Sequence, residues 1–449
     1  MLESMSERAL MHAFERTTRE VSAYRTLFAE TGRSTREVTD VSSFRRLAPL
    51  LGKHNTFQRF GLEELTVPGS LTQLASVLTS SGQGGRFAFG LSTRAMHQRA
   101  QANIEFALQL NFQVDERPTL LVNCLPMGVH FSAGNCTVAD VSVREDMALA
   151  LLEKFKERYA QFIIACDPLF LKRLLDEARR RGFGFEGMRT HLILGEETFG
   201  ENFRSYVGRA LHVELEKADH ALLGSSMGVG ELGLNLFFET RAAIRLRRAA
   251  FRTPGLLAEL LGRSAVPESV PLVFCYSPLQ YSVESVGADG VSGFGQLAIS
   301  TLSPDSPLPL LRYATGDSVR LISREKLDAW ASRFLTPGSA AFPLPVVLIR
   351  GREADVITGQ THVSEVKDVL YTDDDLAHEI SGAFRVTVCQ KTVDVQLRKG
   401  SMVAPETLAT RVQSLLVPML PDFTVRAWRY EQFPFGMELD YERKFKYLA

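Results

Sequence analysis

The chain has 449 residues, too many for one ordinary hydrophobic core, so we expect two or more domains. Hydrophobic residues make up 45% of it and charged residues 23%, the balance of a globular protein, and the formal net charge of -1 excludes a global basic field that would draw it to nucleic acid or to a membrane. The charged N-terminus lacks an apolar signal core and no apolar run is long enough to span a bilayer, so a cytoplasmic location is expected.

The first half of the chain alternates between helical and strand patterns. Apolar residues recur at helical spacing over 5–31, 91–112, 144–159 and 169–181, and Gly182 ends the last of these helices. Short apolar runs typical of buried strands lie at 118–124, 162–166 and 190–195. This alternation predicts βαβ units and a largely parallel sheet.

The pattern changes after about residue 265. Short β-rich runs at 271–276, 295–301 and 318–322 predict an antiparallel or barrel-like segment, and 326–345 contains the Ser, Gly and Pro residues of a loop. A smaller unit begins near 351, with strands near 384–390 and 393–398 and a helix near 405–416. The arginine clusters at 179–181 and 245–248 are expected on solvated helix faces.

A run of small residues offers a candidate anion site. Ser80, Ser81, Gly82, Gly84 and Gly85 would let backbone N–H groups approach a phosphate closely, and Arg86 adds a cation. The spacing fits neither the P-loop NTPase pattern nor the dinucleotide fingerprint. Taken alone, the run is also what a flexible surface turn looks like.

Four further stretches suit a nucleotide site, each with a simpler alternative. In 312–317 an Asp after a Gly turn, Asp317, could accept hydrogen bonds from a ribose, or the stretch is an ordinary turn. In 351–355 Arg352 could reach a nucleotide from the domain boundary, or the stretch is a surface hairpin. The small residues of 223–231 could form the floor under an adenine or a substrate, or a helix N-terminus capped by one of two serines. In 440–446 a terminal lysine could stabilise charge on a transferring phosphoryl group, or the stretch is a solvated tail.

In this order the motifs resemble those of the adenylate-forming (ANL) superfamily of acyl-CoA synthetases, and most closely its phenylacetate-CoA ligase-like branch. That branch carries Ser-Ser-Gly-Thr-Thr-Gly-Lys where this chain has 80–86, and Tyr-Gly-x-Ser/Thr-Glu where it has 223–227. Its Arg-Tyr-x-Thr-Gly-Asp matches 312–317, and its Gly-Arg-x-Asp-Asp partly matches 351–355. Gly195-Glu196 is similar to its Gly-Gly-Glu turn.

The resemblance implies an α/β fold with a large N-terminal AMP-binding domain, residues 1–350, that has parallel sheets and a β-rich subdomain. A small α+β domain, residues 351–449, would be a mobile C-terminal lid. The implied activity is ATP-dependent activation of a small aryl or acyl carboxylic acid as an acyl-adenylate. Transfer to a thiol then follows, from coenzyme A or from the phosphopantetheine of an acyl carrier protein. Relatives often form homodimers, so a homodimer is an expectation of the same kind.

The resemblance also assigns residues to roles. Lys444 and Arg86 would be catalytic, with Lys446 as the alternative to Lys444. The nucleotide would contact Ser80, Ser81, Gly82, Gly84, Gly85, Gly195, Glu196, Ser225, Ser226, Asp317 and Arg352. The acyl pocket would be lined by His130, Phe131, Ser132, Ala133, Gly134 and Gly224. For His130 and Phe131, a purely structural role is an equally good interpretation.

Several departures from the family pattern fall on the phosphate and metal side. Met227 stands where the family has a Glu that helps to hold Mg²⁺, and a thioether is a poor ligand for a hard cation, so no residue is assigned to the metal. Gln83 and Ala354 also depart from the pattern. The sequence therefore leaves a second hypothesis open, a degenerate member that binds a nucleotide, an acyl thioester or a partner protein without efficient adenylation. Glu231 could substitute for the missing carboxylate if the loop is remodelled.

Overall fold

The computed structural model describes residues 2–79, 87–125, 129–130, 132–215, 221–262, 270–335, 342–359, 361–435 and 445–449. The elements of the first half are α1 (Leu2–Glu20), α2 (Ser22–Glu30), α3 (Val41–Leu47), α4 (Leu62–Leu65), β1 (Leu74–Thr79), β2 (Phe89–Thr93), α5 (Arg94–Phe112), β3 (Thr119–Asn123), β4 (Thr137–Asp140), α6 (Glu145–Phe155), β5 (Gln161–Cys166), α7 (Pro168–Arg181), β6 (Thr190–Leu194), α8 (Glu201–Ala210) and β7 (Leu223–Val229). Those of the second half are β8 (Gly233–Phe238), α9 (Arg241–Arg252), α10 (Pro254–Leu261), β9 (Leu272–Tyr276), β10 (Tyr281–Val286), β11 (Gly295–Thr301), β12 (Tyr313–Ile322), α11 (Arg324–Phe334), β13 (Val346–Arg352), β14 (Val356–Thr358), β15 (Thr361–His362), α12 (Val363–Val369), α13 (Asp374–Glu379), β16 (Ile380–Thr387), β17 (Thr392–Leu397), α14 (Pro405–Leu416) and β18 (Thr424–Trp428).

The chain divides into two compact units, each made of three segments. Unit 1 comprises Met1–Phe106, Met227–Glu239 and Val273–Arg350. Unit 2 comprises Ala107–Ser226, Thr240–Leu272 and Gly351–Ala449. The division at 350/351 assigns 351–449 to unit 2, and the mobility predicted for that segment stays a prediction.

Unit 2 contains a parallel sheet in the strand order β7-β6-β5-β3-β4. Every residue of β3 and β5 is buried, as expected for central parallel strands covered on both faces. The three predicted buried strands and the predicted parallel arrangement are confirmed. Helix α7 ends at Gly182, with φ of +69°, as the sequence predicted, and it begins after Asp167, whose side chain accepts from the Phe170 N–H.

The C-terminal segment of unit 2 forms a second sheet in the order β16-β17-β18, antiparallel and then parallel. Its apolar residues belong to the same buried cluster as those of β3, β5 and α7. Strand β16 passes close to α7 at Gly382, where a Cβ atom would lie 3.1 Å from a Leu169 methyl group. The ring of Tyr371 packs edge-on against that of Phe203, with centroids 4.7 Å apart.

Unit 1 is the β-rich part that the second half of the sequence predicted. Its main strands lie in the order β10-β11-β12-β13-β9-β8, in which β11 is antiparallel to both β10 and β12, and β8 is antiparallel to β9. A separate antiparallel pair joins β1 to β2. The predicted mixed α/β fold class is confirmed.

Three local expectations are wrong. The helix expected over 5–31 is two helices that meet at Val21, whose φ of -100° and ψ of 112° are extended. Part of the loop expected at 326–345 is helix α11, in which Leu327, Trp330 and Ala331 are buried at helical spacing. The small residues of 223–231 form strand β7 rather than a loop or a helix N-terminus over most of their length.

The two arginine clusters differ in environment. Arg179, Arg180 and Arg181 are exposed, as predicted. In α9, however, Arg247 and Arg248 are buried, with 2% and 9% of their surface exposed. Glu201 lies beside both and supplies the compensating carboxylate, a tertiary contact that a helical pattern does not reveal.

Within the described ranges, no helix combines the length and the apolar character that crossing a membrane requires.

Candidate functional site

The carboxyl ends of the parallel strands in unit 2 bring several predicted residues together. Leu194, at the end of β6, pairs with Ser225 of β7, and Gly195 follows directly. A Cβ atom on Gly195 would lie 3.8 Å from the carbonyl oxygen of Ser226, so the two backbones run close together. In open α/β sheets ligands bind at this edge, which makes it the candidate site of unit 2.

The turn after β6 has an unusual backbone conformation. The N–H of Gly195 donates to the carbonyl of Cys166 at 2.9 Å, and the N–H of Glu197 donates back to the carbonyl of Gly195 at 2.7 Å. Between them Glu196 has a φ of +65°, which is uncommon for a residue with a side chain. A three-residue turn closed in this way is rare and strained, and such strain occurs preferentially at functional sites.

The predicted acyl-pocket residues follow β3 at the same edge. The Asn123 side chain donates to Asp140 Oδ1 at 2.7 Å and to the Val129 carbonyl at 2.8 Å. His130 Nδ1 lies 3.4 Å from Asp140 Oδ2, with 74% of the imidazole side chain exposed. The exposed imidazole is therefore accessible to a ligand, and its carboxylate neighbour is itself held in place by Asn123.

The other predicted pocket residues lie in two different structural settings. Ser132, Ala133 and Gly134 follow His130 outside any helix or strand. Gly224 is buried within β7 and pairs with Ile193 of β6. A Cβ atom on Gly224 would lie 2.6 Å from a Leu222 methyl carbon, so a larger residue here would require the Leu222 side chain to move.

The stretch 312–317 lies in unit 1. Asp317 in β12 is buried and accepts from the Thr315 hydroxyl at 2.7 Å. Arg312 has a φ of +52°, and its guanidinium donates to Glu284 at 3.2 Å and to the carbonyl of Ala48. Burial raises the pKa of Glu284, although the Arg312 charge opposes that shift. Arg312 therefore fixes the start of β12, and Asp317 is the member of the stretch that remains a candidate for the ribose.

Unit 1 also holds a polar cluster that the sequence did not predict. Glu231 Oε1 lies 3.0 Å from Lys53 Nζ and accepts from the Tyr313 hydroxyl at 3.1 Å, and only 3% of its side chain is exposed. Burial, followed by the Glu231 charge, raises the pKa of Tyr313. Tyr313 lies in the stretch 312–317, but no motif links it to Lys53 or Glu231, and only their three-dimensional contact reveals the cluster.

This cluster does not fit the role of magnesium ligand suggested for Glu231. Its carboxylate is buried and already neutralised by the Lys53 ammonium group, so Mg²⁺ bound there would place a second positive charge against that ammonium. Met227 offers only a thioether at the position of the family's Glu. We therefore derive no step through a metal ion at these two residues.

The remaining predicted residues are placed as follows. Arg352 is half-buried at the end of β13, directly after Gly351, which has a φ of +120°. Eight predicted residues lie outside the described ranges: Ser80, Ser81, Gly82, Gly84, Gly85, Arg86, Phe131 and Lys444. Lys446, the alternative to Lys444, is described and exposed.

Comparison of sequences finds no matching family model and no matching curated protein. Comparison of structures finds a 2-hydroxyisobutyryl-CoA ligase in the postadenylation state. Its complexes with R3-HIB-AMP and 2-HIB-AMP superpose with a TM-score of 0.67 at 13% and 14% identity, covering 100% of this chain and 88% of that one. An open conformation with 2-HIB-AMP and CoA gives a TM-score of 0.56 at 14% identity, covering 100% and 91%.

The chain has the fold of the adenylate-forming superfamily. The likeness extends over all of this chain, as the collinear motifs predicted. The adenylate-forming fold by itself does not distinguish the phenylacetate-CoA ligase-like branch from others, and that finer resemblance stays a prediction.

Proposed function

We propose that this protein activates a small carboxylic acid with ATP and then transfers the acyl group to a thiol. In the first step a carboxylate oxygen attacks the α-phosphorus of ATP, and pyrophosphate leaves. In the second step the thiolate sulfur attacks the acyl carbon, the bond to the AMP oxygen breaks, and AMP leaves. Coenzyme A is the proposed acceptor, with carrier-protein phosphopantetheine as the alternative.

The observation that carries this proposal is the strained turn at Glu196 beside Ser225 and Ser226, at the carboxyl edge of a parallel sheet. The turn lies at the place where the family resemblance put a nucleotide contact, and its backbone conformation supports that role independently of the sequence motif. Strain of this kind persists only where the surrounding structure enforces it. We assign Gly195, Glu196, Ser225 and Ser226 to the nucleotide, Asp317 to the ribose, and His130 to the acid.

The chain's own groups would act mainly by alignment and charge stabilisation. Backbone N–H groups and serine hydroxyls can bind phosphate oxygens, and a buried carboxylate such as Asp317 can accept from ribose hydroxyls. Fixing the acid and the α-phosphate in a reactive geometry supplies much of the rate enhancement in reactions of this class. Arg86 and Lys444 stay proposed as the cations for the phosphate groups.

The test is carboxylate-dependent exchange of labelled pyrophosphate into ATP, measured with a panel of aryl and alkyl acids. We expect exchange with at least one acid, and AMP release that then depends on coenzyme A. Asp317→Asn should raise the apparent KM for ATP about tenfold or more, because a charged acceptor for the ribose is lost. Asp328→Asn, in an exposed pair with Arg324 on α11, is the matched control and should leave the KM unchanged.

One observation favours the second candidate function. The buried pair of Glu231 with Lys53 leaves the position of the family's metal-binding Glu without a fitting substitute in the described part of the chain. A protein that binds ATP but gives no exchange with any acid would be the degenerate member. That result would exclude the ligase proposal.

A further inference from the structure

The side chain of Glu197, directly after the strained turn, is held by two groups from the C-terminal segment of unit 2. Lys367 Nζ lies 2.7 Å from Glu197 Oε2, and the Tyr447 hydroxyl donates to the same oxygen at 2.7 Å. The Lys367 ammonium also lies over the Tyr447 ring, 3.7 Å from its centroid. The side chains of Glu197 and Lys367 are only 10% and 15% exposed, so solvent screens this cluster weakly.

Tyr447 is itself fixed by backbone pairing with β16. The Val386 N–H donates to the Tyr447 carbonyl at 2.8 Å, and the Ala449 N–H donates to the Val386 carbonyl at 2.9 Å. The Tyr447 ring packs at 4.8 Å against the rings of both Phe384 and Phe445. Burial and then the Glu197 charge raise the pKa of Tyr447, so its hydroxyl stays protonated and continues to donate.

Asp368, the residue after Lys367, holds the other end of the connection between β6 and α8. Asp368 accepts from the Asn202 backbone N–H at 2.9 Å and from the Asn202 side-chain amide at 3.1 Å. It thus caps α8, which has no side-chain cap of its own, from a distant part of the chain. Gly200 leaves the space for this contact, since a Cβ atom there would lie 2.0 Å from Asp368 Oδ1.

We propose that Lys367, Asp368 and Tyr447 are positioning residues that clamp segment 197–202 and so enforce the nucleotide-binding conformation of the Gly195–Glu196 turn. This inference rests on the proposed function. The strain at Glu196 requires a surrounding structure that opposes relaxation, and the clamp supplies it from both ends of the connection to α8. The consequence is that a contact outside the nucleotide site sets the affinity for ATP.

The experiment compares Lys367→Met and Tyr447→Phe with the matched control Lys391→Met, whose lysine forms an exposed pair with Asp422 in the same unit. We expect both clamp variants to raise the apparent KM for ATP at least fivefold, with a much smaller change in the KM for the acid. Lys367→Arg, which keeps the charge, should restore part of the ATP affinity. Combining Glu197→Gln with Lys367→Met should add little to either change alone, because both remove the same ion pair.

A second control, with the thermal midpoint as a second measurement, distinguishes positioning of the turn from a general loss of stability. Val412→Ala removes buried methyl groups from α14, which contributes no member of the clamp, and should lower the thermal midpoint without changing the KM for ATP. If Val412→Ala and the clamp variants raise that KM equally at equal loss of stability, the proposal is wrong.

Amide hydrogen exchange tests the clamp without any nucleotide. Residues 195–202 should exchange at least fivefold faster in Lys367→Met than in Lys391→Met. Unchanged exchange would overturn the clamp. A third outcome combines faster exchange in Lys367→Met with a wild-type protein that binds no ATP. It would keep the clamp on segment 197–202 but refute the proposed function and the role in nucleotide binding that depends on it.

Discussion

Asp368 carries a carboxyl group whose charge is costly in the folded protein. Burial raises its pKa from 3.8 to about 6, although the backbone N–H of Asn202 favours the charged form. Glu201 adds a repulsive charge, and Arg247 a favourable one. The carboxyl that caps α8 is therefore ionised at neutral pH at the expense of part of the folding free energy.

We predict that Asp368 adds to the stability as the pH falls from 8 to 5, whereas the buried His191, whose pKa burial lowers, opposes that gain. The folded state takes up a proton on Asp368 near pH 6, whereas the unfolded chain does so only near its ordinary value of 3.8, so the free energy of unfolding rises as pH decreases through this window. The contribution is about 1.4 kcal/mol at pH 5 relative to pH 8, because pH 5 lies about one pH unit below the folded-state pKa. Thermal midpoints of wild type and Asp368→Asn at several pH values measure it.

Asn keeps an acceptor for the Asn202 N–H but does not titrate, so the variant should lack the gain in stability that wild type owes to Asp368 at low pH. The variant profile should still depend on pH, because burial raises the pKa of Asp167 to about 6 and lowers the pKa of His191. Parallel profiles for wild type and Asp368→Asn would show that this carboxyl is not the group responsible.

At the scale of elements, α8 and α9 are joined by a buried charge cluster. Glu201 lies 3.0 Å from Arg204, 3.3 Å from Arg247 and 3.4 Å from Arg248. Burial alone would raise the pKa of Glu201, but the three guanidinium groups outweigh it and lower the pKa. Arg204 and Arg247 also lie against the Phe199 ring, at 4.9 and 5.5 Å from its centroid.

Glu201→Gln should destabilise unit 2 strongly, because it leaves several buried cations without their shared carboxylate. Removing one partner of a buried ion pair costs about 3 to 5 kcal/mol. Glu177→Gln, on the exposed side of α7 beside Arg180 and Arg181, is the control and should cost less than about 1 kcal/mol. Urea unfolding followed by circular dichroism measures both, and equal midpoints for the two variants would contradict the prediction.

The elements that the sequence predicted well are those whose signal is local. Strands β3 and β5 are continuous apolar runs, and α7 carries its own cap at Asp167 and its own stop at Gly182. Strand β7 was missed because Gly224, Ser225 and Ser226 carry no strand preference, and pairing with β6 decides their conformation. The burial of Arg247 likewise depends on a carboxylate 46 positions away in the chain, which no local pattern contains.

At the scale of the whole molecule, ordered motifs predicted the fold although no family model matches the sequence. The short motif 312–317 includes residues with specific structural roles, as the φ of +52° at Arg312 and the burial of Asp317 show. The clamp at Glu197 could not be predicted, because its members are brought together only by the folded chain. The predicted boundary at 350/351 came from a change in the sequence pattern and from the family resemblance, and neither reports how 351–449 packs.

That packing leads to a prediction about the C-terminal segment of unit 2. Its residues Val366, Leu370 and Phe384 belong to one buried cluster with Leu171 and Phe203. Exposing a large apolar side chain costs about 1.5 to 3 kcal/mol, so losing many such contacts exceeds the net stability of about 5 to 15 kcal/mol of a typical protein. We therefore expect a chain that ends at Arg350 to lose the cooperative thermal unfolding of the full-length protein.

The control separates loss of packing from loss of chain continuity. A protease site inserted at Met402, which is 92% exposed, allows the full chain to be cut while both pieces stay in place, and the cut protein should keep its cooperative transition. A freely moving lid makes the opposite prediction for the truncated chain, since removing it would leave the remaining core intact. A soluble 1–350 fragment with a native circular dichroism spectrum and a sharp melting transition would thus favour the independent lid over the shared core.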